Sequence, residues 1–68
     1  MKAGDVFVSK LNERVGLILE AHIGNKFWNT QSVDIIDNRK VSKSYIFEKA
    51  HVNNINRFYN LFNRKREN

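Results

Sequence analysis

Side chains suited to acid–base or metal chemistry are few in this sequence. His22 and His51 are its only imidazoles, and it contains no cysteine. Neither histidine has a carboxylate or second histidine at metal-ligand spacing. His51 with Arg57 or a carboxylate is the pairing a basic nuclease would use as acid and base. A glycine-rich phosphate loop, a paired-carboxylate motif and a nucleophile elbow are all missing. The residues therefore read as non-enzymatic, with no cofactor and no metal. What they do offer is aromatic rings set among cations. Single-stranded nucleic acid is held by a cationic groove and by aromatic faces on which bases stack. Trp28, with Phe27 or Tyr45, would supply such faces, and Lys26, Arg39, Lys40 and Lys43 the charge. Arg57, Arg64, Lys65 and Arg66 would extend the positive surface through phosphate contacts. The competing account puts the aromatics in a small core and leaves the cations solvated.

The distribution of charge says more than its total of +5. Residues 1–37 hold four basic and five acidic side chains, whereas residues 38–68 hold eight basic and two acidic. That asymmetry suggests a polyanionic partner or an acidic protein surface, against the plainer explanation of solubility. With 41% apolar and 28% charged residues the chain is globular rather than disordered. Its 68 residues make one small domain, near the lower limit for folding without a staple, and the lack of cysteine rules out a disulfide framework. The longest apolar run, Val15 to Leu19, is far short of the roughly 20 residues a membrane span needs. Asp5 and Lys10 interrupt any leader-like apolar stretch, so the expected location is cytoplasmic.

Positioning falls to a β-rich chain. Asp5 to Ser9 and Val15 to His22 read as a hairpin about a polar loop at Lys10–Arg14. Val6 and Val8 share a face opposite Phe7, and Val15, Leu17 and Leu19 share a face opposite Ile18. Gly24-Asn25 signals the next turn. Lys26 to Thr30 and Ser32 to Asp37 form one long extended segment, or two pieces separated by a bend at Gln31, with Val33 and Ile35 on one side and Ile36 on the other. Phe27 and Trp28 are adjacent, so a strand points them to opposite sides and one of them should lie outside the core. After the polar turn Asp37–Lys40, Val41 to Phe47 is the fourth strand, with Val41, Tyr45 and Phe47 opposite Ile46. From Glu48 the period changes. Val52, Ile55, Tyr59 and Phe62 recur at spacings of three and four, which predicts an amphipathic helix over 48–66 docked on the sheet. Its asparagines are poor helix formers, so it depends on that docking.

Gly4-Asp5-Val6-Phe7-Val8 and Val15-Gly16-Leu17-Ile18-Leu19 resemble the opening of KOW-type and related SH3-like small barrels. Trp28, the segment Val33 to Asp37 and the strand ending near Phe47 are similar to the same layout, over residues 4–47. The resemblance implies a non-catalytic domain that binds RNA, DNA or protein, commonly in transcription and translation machinery. Members usually close with a short strand after a single helical turn, where this sequence predicts a longer helix. Short basic chains rich in Asn and Lys also look like accessory proteins of large bacteriophages, which would place this one in the host cytoplasm. The expected fold is mainly β with one C-terminal α-helix: an SH3-like small barrel or a strongly bent antiparallel sheet of four strands, packed on the helix. The expected role is non-catalytic nucleic-acid binding, RNA before DNA. The alternative is a phage-type accessory protein that modulates a host protein through an SH3-like surface or an added edge strand. The chain would be a monomer, or a homodimer joined through the helix stripe.

Overall fold

The computed structural model describes residues 1–62, with Tyr45 described by its backbone alone. The elements are β1 (Val6–Ser9), β2 (Val15–Ile23), β3 (Phe27–Ile36), β4 (Lys40–His51), α1 (Val52–Phe58) and β5 (Tyr59–Leu61). The strands form one antiparallel sheet in the order β4-β3-β2-β1-β5. The molecule is thus mainly β with one short helix, and its sheet is open. β4 and β5 are the two edges, and closure into a barrel is not observed. Among the described residues no helix is long and apolar enough to cross a membrane.

Three turns set the strand order. Gly24, at φ 61°, supplies the left-handed residue between β2 and β3. Asp37 and Asn38, at φ 57° and 58°, do the same between β3 and β4, and the Arg39 N–H closes that turn on the Ile36 carbonyl at 3.1 Å. Asp and Asn are the side-chain-bearing residues that best tolerate this region. In the first hairpin the Ser9 hydroxyl accepts from the Leu11 and Asn12 N–H groups at 3.1 and 3.3 Å, and Asn12 Oδ1 accepts from the Arg14 N–H at 3.0 Å. The polar loop at Lys10–Arg14 is built as its composition implies.

The core lies on one face of the sheet. Phe7, Leu17, Leu19, Trp28 and Ile55 form it, with Ala50, Val52 and Tyr59 packed around them. Residues paired directly across antiparallel strands share a face, and the register places Phe7 beside Leu17, Leu19 beside Thr30, and Trp28 beside Ala50. Farther along β3 the buried side changes. Thr30 and Gln31 are consecutive and both buried, and beyond them Val33 and Ile35, each 2% exposed, face away from the core. Val15 and Ile36 are left exposed on the core-side face. That is why Val15 leaves the stripe it shares with Leu17 and Leu19.

Two further differences from the sequence reading concern the second half. The helix is seven residues, not 48–66, and there are five strands rather than four. Glu48–His51 continue β4, which runs twelve residues to His51 instead of stopping at Phe47. Tyr59–Leu61 return to extended backbone and pair with β1, Ser9 with Tyr59 and Phe7 with Leu61. The sheet ladder outcompetes a helix rich in asparagine. The remainder of the expected helix, including Arg64, Lys65 and Arg66, lies outside the described residues. α1 starts at His51, whose Nδ1 accepts from the Asn53 N–H at 3.0 Å, and it carries one fully buried residue, Ile55.

Gly16 pairs with Val33 where β2 is most crowded. A Cβ there would stand 2.7 Å from the Phe7 carbonyl oxygen and 3.1 Å from both Val33 and Ile35. Gly16→Ala should therefore lower stability by about 1–3 kcal/mol, read as a reduced urea midpoint. Ile55→Ala removes the one helical side chain wholly inside the core. It should cost about 2–5 kcal/mol, enough to unfold much of so small a domain, as circular dichroism would record.

Candidate nucleic-acid interface

The β3–β4 ribbon carries most of the residues singled out from the sequence. Lys26 is exposed in the turn before β3, Arg39 and Lys40 are exposed at the opposite tip, and Lys43 is exposed on β4. Lys40 and Lys49 are nine residues apart on one strand, about 30 Å at the usual rise. The ribbon thus bears a line of cations along the outer strand of the sheet. Arg57 is separate from it, exposed on α1 with its guanidinium carbon 5.4 Å from the Phe58 ring centre. Arg64, Lys65 and Arg66 lie outside the described residues, and so does the side chain of Tyr45.

Trp28 has to be corrected. It is 4% exposed, in the middle of the core, and the His22 ring stacks on it with centres 4.5 Å apart. A base cannot reach it. Its adjacent partner Phe27 therefore takes the opposite face, as strand alternation requires, and is half-buried there. The Phe27 ring meets the His51 ring edge-on at 4.9 Å, and Lys49 Nζ stands 5.1 Å from its centre.

The register sorts the remaining side chains between the two faces. Phe27 pairs with His51, Asn29 with Lys49, Gln31 with Phe47 and Val33 with Lys43, all on the face away from the core. Glu48 pairs with Thr30, and Asp34 with Ser42, on the core-side face. On the ribbon, then, two lysines and two phenylalanines share the outer face, and both carboxylates within the strands lie on the other. Phe47 is 64% exposed.

A register shift between Gln31 and Val33 interrupts the ladder without changing which side chains share a face. β4 spends two more residues than β3 between those pairs, and the extra length is managed by side chains. Buried Gln31 donates from Nε2 to the Ser44 carbonyl, and the Ser44 hydroxyl accepts from the Ile46 N–H at 3.0 Å. Thr30 Oγ1 donates to the Glu48 carbonyl at 2.9 Å just beyond. Ile46 and Phe47 are both exposed. Phe47, Lys49 and His51 were missed as site residues because the sequence pattern ends the strand at Phe47 and makes Glu48 onward helix, whereas β4 runs to His51. The findable signal was Phe27, the neighbour of a tryptophan that a small core must absorb.

Among the described residues no group of three or more His, Asp or Glu side chains is placed to hold a metal ion. Two open depressions flank Arg14, one lined by Asn12, Val15 and Asp34, the other by Asp37 and Asn38, with Ile35 and Ile36 shared by both. Comparison of the chain with protein-family models, with curated proteins and with solved structures gave no match.

Trp28→Ala should behave as a core deletion, costing about 3–5 kcal/mol and flattening the urea transition. A well-folded Trp28→Ala chain with its urea midpoint unchanged would contradict the placement of this ring.

Proposed function

We propose that this chain is a non-catalytic nucleic-acid-binding module of SH3-like type that works through the basic β3–β4 ribbon. One observation carries the reading: Lys40, Lys43 and Lys49 lie along a single exposed strand, and Lys43 and Lys49 share its outer face while the strand carboxylates Asp34 and Glu48 lie, with Lys40, on the other. A phosphate backbone is a line of negative charge, and counterion release from it favours such an array. The SH3-like part of the reading draws on the antiparallel order β4-β3-β2-β1-β5 and on the short helix leading into a short last strand, in place of the longer helix read from the sequence. RNA is placed before DNA, as in the reading of the sequence.

A second reading, a phage-type accessory protein that grips a host protein, draws on a different feature. Among the described residues β4 pairs with β3 alone, so its outer edge has no described partner strand along its twelve residues, and Ile46 and Phe47 are exposed on it. An exposed edge of this kind can accept an added strand.

The two readings separate by salt. Binding of RNA to the purified chain should weaken linearly in log salt, and the double variant Arg39→Gln, Lys40→Gln should lower the slope by about two phosphate contacts. Absence of RNA or DNA binding at low salt, together with a stoichiometric protein that co-purifies after nuclease treatment, would favour the second reading.

A further inference from the structure

The outer face of the ribbon holds more than charge. Phe27 and Phe47 share it, and their register partners His51 and Gln31 put them four residues apart along the strands. That is about 13 Å, with Lys49 between them and Lys43 beyond Phe47. Phe47 is the most exposed aromatic side chain described, at 64%, and Phe27 is partly exposed. Neither ring belongs to the core cluster. The β3 residues between them on this face, Asn29 and Gln31, are uncharged.

We propose that this face takes a single strand of nucleic acid rather than a duplex, with one base stacked on Phe27, a second on Phe47, and Lys43 and Lys49 against the phosphates. The inference rests on the nucleic-acid reading above and names the form of nucleic acid that reading leaves open. Duplex bases are already stacked on one another and show only their edges, so exposed rings on a flat sheet gain nothing from them. A single strand presents base faces, and every base has one, so stacking on a phenylalanine needs no sequence. The spacing fits an extended strand. Stacked neighbouring bases lie about 3.4 Å apart, far closer than these two rings. The rings therefore hold two bases that are not adjacent, and Lys49 meets the backbone between them. Lys49 already sits over the Phe27 ring at 5.1 Å, so a base arriving there displaces a cation toward the phosphate it is to meet.

The test is fluorescence anisotropy at low salt with the whole chain and two probes, an oligouridylate of about 12 nucleotides and a blunt RNA duplex of the same length. The variants are Phe27→Leu and Phe47→Leu, which keep apolar bulk and remove the flat ring. Thermal melts confirm that each is folded. The single strand should bind about tenfold or more tighter than the duplex. Each Leu variant should weaken it about five- to hundredfold while leaving duplex binding unchanged. Since Phe47 is exposed, Phe47→Leu remains informative even if Phe27→Leu fails to fold. Equal affinity for both probes, or single-strand binding untouched by Phe47→Leu with the salt slope intact, overturns the stacking proposal and leaves the nucleic-acid reading standing. No binding of either probe overturns both.

Discussion

The arrangement depends on one contact, the burial of Ile55 against the face formed by Phe7, Leu17, Leu19 and Trp28. β4 and β5 are opposite edges of the sheet, and α1 carries the chain from one to the other across that face. A helix of seven residues has almost no stability of its own. It forms because a wholly buried isoleucine anchors it, because His51 caps it, and because the Val52 N–H donates to the Lys26 carbonyl at 2.8 Å in the turn below. Without that bridge the core would be open on one side and β5 would have no path to β1. The hydrogen bonds from the Lys10 N–H to the Phe58 carbonyl and from the Phe62 N–H to the Val6 carbonyl, at 2.9 and 2.7 Å, mark how closely the last strand is held once it arrives.

A single sheet with a core on one face leaves the other face free for something else. Here the change of buried side at Thr30 and Gln31 divides that second face. Near Val33 and Ile35 it is closed by packing, for which Gly16 makes room by having no side chain. Toward Phe27 and His51 it is half-covered and lined with lysine. The same β3 strand therefore contributes Trp28 to the core and, one residue on, presents the polar side chain of Asn29 outward.

Much of this was legible in the sequence. The first hairpin, the turn at Gly24-Asn25, the turn at Asp37–Lys40 and the opposition of Val33 and Ile35 to Ile36 all follow from local pattern, and the structure has them. The concentration of cations after residue 38 was also plain, although it did not reveal that Lys40, Lys43 and Lys49 lie along one strand. Two things were hidden. Tyr59 and Phe62 continue the helical spacing of Val52 and Ile55, yet Tyr59 belongs to a strand, because its pairing partner Ser9 is fifty residues away and no local pattern reports a distant ladder. The second was the irregularity in β4. Alternation counted from Val41 puts Phe47 on the same face as Val41, as the structure has it, but it does not report the two extra residues, held by Gln31 and Ser44, that shift the pairing of β4 with β3. Which of Phe27 and Trp28 enters the core is likewise decided by what lies across β2 and β4, not by the residues themselves.

The first and last strands are neighbours: Val8 pairs with Asn60 and Phe7 with Leu61. Nothing in the middle of the chain can supply that ladder. During synthesis the nascent polypeptide can make its hairpins early, but Phe7 keeps an unsatisfied flank until Leu61 has cleared the ribosome. Completion is thus a late, nearly all-or-none event, with loop closure over most of the chain as its entropic barrier. A copy stopped a few residues short of Leu61 would be left with β1 as a raw margin able to pair with other copies.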